Sequence, residues 1–208
     1  MKEKYILPLA GIILLLIFIF LGFLVRFKPE CLSGFDNYFT EITRNNFYPA
    51  FNSFFSSITQ LGGYIFVVII TIFISIMLFI NKKRAASIWL FSGLMITGIL
   101  VQLLKMIVDR QRPILPHLVT ANSMSFPSGH STAAMVLYGA LIILIGIYIK
   151  NRLLSIVFQL LLAILIFSIW VSRIYTGAHF PSDIIGSFLL GGAWLSITYR
   201  IYRRYENS

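Results

Sequence analysis

The stretch LPLAGIILLLIFIFLGFLV, residues 7–25, decides the fold class, because it runs for nineteen residues without a charge. A bilayer core of about 30 Å is crossed by about 20 helical residues, so this stretch is long enough to span. Its continuity is unlike the alternation of an outer-membrane β-strand. It is also longer than the apolar region of a secretory signal, and Arg26-Phe27-Lys28-Pro29 follows it where a small-residue cleavage site would stand. It reads as a retained span. Five further apolar stretches lie at 64–80, 85–106, 132–149, 153–171 and 184–199. The first and last of these five are short, which predicts that their ends extend into flanking residues.

The composition of the whole chain agrees. Of 208 residues, 58% are hydrophobic and only 12% charged, against about 25% charged in a soluble domain. The mean hydropathy is +0.87. A water-soluble globule and a disordered chain are both excluded. A single cysteine, Cys31, excludes a disulfide scaffold and a cysteine-based zinc site. The expectation is an all-α integral membrane protein: one domain over residues 1–208, a bundle of six transmembrane helices, and no internal repeat.

Residues 28–63 form the longest connection. Phe35, Tyr38, Phe39 and Ile42 recur at helical spacing, and after Asn45, Asn46 and Pro49 so do Phe51, Phe54, Phe55 and Ile58. Each set predicts a short amphipathic helix at the outer interface with its aromatic face toward lipid. Two roles stay open for them: packing on the bundle top, or walling the path of a lipid that enters sideways.

Orientation follows from the basic residues. With both termini cytoplasmic, ten of the 17 lysines and arginines fall inside, among them Lys2, Lys82, Lys83 and Arg204, and seven outside. The positive-inside rule favours that arrangement and places 28–63 on the periplasmic or extracellular side. The +10 net charge is spread in short clusters at span ends, which suits topology and anionic headgroups and not nucleic acid.

Three segments carry polar chemistry: 105–113, with Lys105, Arg112 and Pro113; 127–130, Pro-Ser-Gly-His; and 172–183, with Ser172, Arg173, His179 and Asp183. The end of an odd-numbered span and the start of the next lie on one side, so all three meet at one membrane face. Lys105 and Arg112 are seven apart, about two helical turns, which predicts that they point the same way from one helix, with Pro113 ending it or bending its exit. Ser128, Gly129 and His130 open a span whose first-turn N–H groups attract anions, and Gly129 admits close approach of the backbone. The four-residue step from His179 to Asp183 allows a carboxylate to grip one imidazole nitrogen and leave the other free. Three cations, a helix N-terminus and two histidines fit a phosphate.

Each feature alone has a plainer reading. Lys105 and Arg112 can snorkel at a span end, Ser128 can be a helix cap, Arg173 and Asp183 can form an ion pair, and His179 can be an interfacial histidine. Their convergence on one face is what favours a shared ligand. His117 reads as an ordinary loop residue, Tyr175 and Gly177 as loop-shaping, and Gly139, Gly146, Gly191 and Gly192 as close-packing positions. Two histidines and an aspartate also suit zinc, but three neighbouring cations repel a divalent ion. An anion or lipid transporter is the alternative from another class. It expects binding groups at the middles of the spans, where the sequence shows no polar lining.

The three motifs, K-x6-R-P, P-S-G-H and S-R-x5-H-x3-D, resemble those of the type 2 phosphatidic acid phosphatase family, matched here in order by Lys105 to Pro113, Pro127 to His130 and Ser172 to Asp183. The resemblance implies a membrane lipid phosphatase without metal or other cofactor. It implies His179 as a nucleophile forming a phosphohistidine, Asp183 orienting it, and His130 protonating the leaving group and activating water. Lys105, Arg112, Ser128, Gly129 and Arg173 would hold the phosphoryl oxygens. The chain looks most like the bacterial phosphatidylglycerophosphate phosphatase B branch. The substrates so implied are phosphatidylglycerophosphate, phosphatidate, diacylglycerol pyrophosphate and undecaprenyl pyrophosphate, with a dedicated undecaprenyl pyrophosphate phosphatase as the alternative. The implied partner is a lipid in the cell membrane, reached at the extracytoplasmic face.

Overall fold

The computed structural model describes residues 3–45, 49–120 and 122–206; Lys2 and Asn46 of the readings above lie outside them. Among the described residues there is no strand. Six helices answer the six apolar stretches: α1 (Glu3–Phe27), α4 (Tyr64–Ile80), α5 (Arg84–Val108), α6 (Gly129–Tyr148), α7 (Arg152–Tyr175) and α8 (Pro181–Glu206). Between α1 and α4 lie α2 (Glu30–Asn45) and α3 (Asn52–Ile58). Five of the long helices are apolar enough to cross a membrane on their own. The short second stretch extends differently from expected: α4 keeps its 17 residues, and the added length comes from α3 and a 3-10 turn joined across a 47° bend at Gly63.

Helix α6 sits at the centre, packed against α4, α5, α7 and α8, while α1 lies along α8. Large side chains such as Leu16, Phe20, Phe73, Leu160 and Phe167 face outward, while Ala86, Ala134, Ala140 and Ala193 are buried. This is the membrane pattern, since lipid is as apolar as leucine and small residues let helices approach. A Cβ at Gly139 would lie 2.6 Å from Leu195, one at Gly146 2.8 Å from Gln159, and one at Gly191 2.7 Å from Met135. The spans are not free of polar groups, contrary to the sequence reading, because Thr71, Ser75 and Thr97 are buried within them. Thr97 bonds to the Gly93 carbonyl of its own helix (2.7 Å), while the Thr71 and Ser75 hydroxyls have no partner among the described residues.

The connection from α1 to α4 shares an end of the bundle with all three motifs. Helix α2 turns Phe35, Tyr38, Phe39 and Ile42 outward and buries Asp36. Helix α3 and the 3-10 turn before it divide their aromatic residues, a departure from the single lipid-facing stripe expected. Phe51 and Phe54 are exposed, but Phe55 is buried against the Tyr175 ring with centroids 4.4 Å apart. The Tyr175 hydroxyl donates to Asn52 (2.5 Å) and pins α3 to the end of α7.

A second correction concerns 105–113. Helix α5 stops at Val108, because Asp109 takes a left-handed conformation (φ 51°, ψ 43°), which a short polar side chain tolerates. Pro113 does not end it, and Lys105 and Arg112 do not share a helix face. Arg112 returns to Lys105 along the loop that leads to α6.

Candidate active site

Three helix ends and two loops bring the predicted residues to one cavity of about 460 Å³. Lys105 comes from the last turn of α5, Gly129 and His130 from the start of α6, and Arg173 from the last turn of α7. Arg112 comes from the α5–α6 loop and His179 from the α7–α8 loop, and all six line the cavity. The other two predicted residues do not. Ser128 is fully buried and caps α6, its Oγ accepting from the Ser131 N–H (3.4 Å). Asp183 stands behind His179, also fully buried. Beyond the cations the cavity continues between α4 and α5, lined by Tyr64, Val67, Val68, Leu94, Met95 and Ile99.

The imidazole of His179 is held at both nitrogens. Nδ1 lies 3.3 Å from Asp183 Oδ2, and Nε2 lies 3.2 Å from Arg112 Nη1. A guanidinium has no lone pair to offer, so Arg112 must meet one at Nε2. The proton then sits on Nδ1 and donates to Asp183, and the Nε2 lone pair accepts from Arg112, both side chains lining the cavity. Burial lowers the pKa of His179 to about 3, against the upward pull of Asp183 and with the help of Arg173 and Arg112.

That shift has a stability consequence with a definite sign. The folded protein keeps His179 neutral, while the unfolded chain takes up a proton below its ordinary value of 6.5. The contribution is present above that pH and is lost as pH falls from 6.5 toward 3. The melting temperature of the detergent-solubilised protein is expected to drop across this window, and to drop less in His179→Asn. Equal slopes for the two proteins would contradict the assignment.

The cations are braced from the protein side. Lys105 Nζ donates to Ser123 Oγ (3.0 Å) and to the Met124 carbonyl. Arg112 donates to the carbonyls of Ser123 and Ala178, each at 2.6 Å. Arg173, 2% exposed, donates from Nη1 to Thr59 Oγ1 (2.9 Å), while its buried Nε has no partner among the described residues. A buried donor without an acceptor is costly, and here it borders a cavity that can hold one. The space beside Gly129 is open, since an added Cβ would meet nothing nearer than Val101 at 3.9 Å.

Four side chains with no assigned role in the sequence reading complete the arrangement. Arg110 donates from Nη1 to Asp183 Oδ1 and from Nη2 to Asp36 Oδ2, both at 2.7 Å. Ser125 Oγ donates to Asp183 Oδ2, and Thr59 receives Arg173. Asp183 is therefore paired with Arg110, not with Arg173 as the ion-pair alternative held. Arg110 stands between Lys105 and Arg112 in the sequence, where its charge was the available signal. Nothing in the pattern of α2 marks Asp36 as a buried partner.

Comparison with known proteins identifies the family. Residues 86–206, which contain all three motifs, match the model of the PAP2 superfamily. Phosphatidylglycerophosphatase B of Bacillus subtilis is 29% identical over 147 residues, 69% of this chain and 71% of that protein. A lipid A 1-phosphatase of Rhizobium etli is 30% identical over 128 residues, which span 56% of this chain but only 50% of the relative. The crystal structure of a transmembrane PAP2-type phosphatidylglycerolphosphate phosphatase from Bacillus subtilis superposes with a TM-score of 0.82 at 22% identity, covering 95% of this chain and 96% of that one. Aquifex aeolicus LpxE superposes with a TM-score of 0.63 at 26% identity, over 79% and 96%. With the family model matching more than half its length and every motif gathered at one end of a multi-span bundle, the chain belongs to the PAP2 superfamily.

Proposed function

We propose that this protein is a membrane lipid phosphatase that releases the terminal phosphate of a lipid phosphate or pyrophosphate through a phosphohistidine on His179. The observation that carries the reading is that His179, its Nδ1 against Asp183 and its unprotonated Nε2 beside Arg112, lines one cavity with Lys105, Arg112 and Arg173. In the first step Nε2 attacks phosphorus and the P–O bond to the lipid breaks, and a proton that enters on the substrate's phosphoryl group passes through His130 to the leaving oxygen. Asp183, against Nδ1, offsets the positive charge that develops on the ring. The three cations and the first-turn N–H groups of α6 stabilise the equatorial oxygens, which is where phosphoryl transfer concentrates charge. In the second step His130 accepts a proton from water, the P–N bond breaks, and inorganic phosphate leaves. The apolar arm of the cavity between α4 and α5 suits the tail of such a substrate. Relatives named phosphatidylglycerophosphatase B and lipid A 1-phosphatase support a lipid substrate.

The same charges argue for chemistry without a metal, because a divalent ion would enter against three cations. The test is inorganic phosphate release in detergent, with excess EDTA, from phosphatidylglycerophosphate, phosphatidate, diacylglycerol pyrophosphate and undecaprenyl pyrophosphate, compared by kcat/KM. Turnover of at least one is expected to be unaffected by the chelator. Activity lost to EDTA and restored by zinc would overturn the metal-free reading, and preference for undecaprenyl pyrophosphate alone would select the dedicated branch. Release in detergent also separates hydrolysis from transport.

For orientation, the charge bias supports cytoplasmic termini and an extracytoplasmic site. Cys31, exposed on α2, is the chain's one cysteine and lies at the same end as the motifs. A membrane-impermeant maleimide is expected to label intact cells at Cys31, with Cys31→Ser as blank. Labelling only after permeabilisation would reverse the topology.

A further inference from the structure

Helix α2 contributes no side chain to the lining of the main cavity, yet it buries a charge. Asp36 is 1% exposed and uses both carboxylate oxygens. Oδ1 accepts from the Ser182 N–H (2.9 Å), and Oδ2 accepts from Ser182 Oγ (2.8 Å) and Arg110 Nη2 (2.7 Å). The other arm of the Arg110 fork donates to Ser182 Oγ and to Asp183 Oδ1, each at 2.7 Å, and the guanidinium lies 4.0 Å from the centroid of the Phe180 ring. On its far side Asp183 Oδ2 accepts from the Phe180 N–H (2.9 Å), from Ser125 and from His179 Nδ1. One guanidinium is thus shared by two buried carboxylates, and the second of them holds the His179 ring.

We infer that Asp36 is a positioning residue for the reaction: through Arg110 it fixes the Asp183 carboxylate, and with it His179, so that α2 sets the alignment of the nucleophile. The inference rests on the phosphohistidine reading. Two physical effects act together. A planar guanidinium forks rigidly, so anchoring one arm on α2 orients the arm that meets Asp183. The two carboxylates also leave a net negative charge behind the ring, opposite to the charge it gains on phosphorylation. Without Asp36 the whole charge of Arg110 falls on Asp183, and that support is cancelled. A purely structural tether between α2 and α8 would have needed only the bonds to Ser182.

The test is the Asp36→Asn variant, which keeps the shape and an acceptor for the Ser182 N–H. Full-length detergent-solubilised protein is given phosphatidate labelled with radioactive phosphate, and both steady-state turnover and acid-labile label on the protein are followed. A fall in kcat and in the labelling rate of about tenfold to a hundredfold is expected, the span of coupling within one buried network, with KM changed by less than about twofold. In an Arg110→Met background the same substitution is expected to leave kcat nearly unchanged, since the route is already cut. Arg110→Lys, which keeps the charge but cannot fork, is a milder variant and is expected to lower kcat alone. A multiplicative loss in both backgrounds, a change confined to KM or to melting temperature, or full kcat in Arg110→Lys would overturn the role of Asp36. No label on the unsubstituted protein would instead overturn the phosphohistidine reading.

Discussion

Replacing His179 by alanine is expected to lower phosphate release from lipid phosphates by about 10⁴-fold or more, the scale on which removing a nucleophile acts. The loss should lie in kcat, with the protein still folded. Nothing else in the cavity can take over its part. The other imidazole, His130, lines the same cavity, but the carboxylate and the guanidinium that fix a tautomer are both on His179. Removing the ring opens a small void beside Asp183, whose bonds to Arg110, Ser125 and the Phe180 N–H remain. Elution in detergent as for the unsubstituted protein, together with absent turnover, is the expected pair of results. Residual activity above about 1% would place the nucleophile elsewhere.

Arg173→Met is expected to lower activity by about 10³-fold, as losing a guanidinium from a phosphoryl-transfer site does, and at the same time to raise the melting temperature. The two effects have one cause. Arg173 is buried beside Lys105 and Arg112 and has no carboxylate partner among the described residues. Its ties are to the Thr59 hydroxyl, with Nε unpartnered. A buried charge without a counter-ion is costly, and replacing buried charges by apolar side chains of similar size can stabilise by about 1–4 kcal/mol. Methionine keeps the stem and removes the repulsion. The bound phosphoryl group would be the missing counter-ion. Orthovanadate at a hundred times its dissociation constant is therefore expected to stabilise the unsubstituted protein by about 2.7 kcal/mol and Arg173→Met far less. A variant that is both inactive and less stable would show the guanidinium to be a structural strut.

Much of the fold was legible because membrane spans are written locally. An apolar run such as 7–25 needs no tertiary partner to be recognised, since its solvent is the bilayer, and helix ends then fell within four residues of the apolar boundaries except at α8, which runs seven residues further to Glu206. Parity did the rest, putting the three motifs at one end without any knowledge of packing. Where the sequence reading departed from the structure, the reason was a local conformation that periodicity cannot express. The spacing of Lys105 and Arg112 implied a shared helix face, yet Asp109 turns left-handed and the two meet through a loop. Ser128 looked like a phosphate ligand, but it is fully buried outside the cavity lining, where its Oγ caps α6.

The sequence by itself determined the six spans, the common face and the identity of the groups that converge there, because hydropathy, span parity and motif order are properties of the linear chain. Only the tertiary structure decided how those groups are held. The contact of Arg112 with His179, the bracing of Arg173 by Thr59 and the sharing of Arg110 between Asp36 and Asp183 join residues that are 67 to 114 positions apart. Such pairings depend on directed bonds of about 3 Å between side chains, and no pattern along the chain encodes them; helix packing had to bring the partners together first.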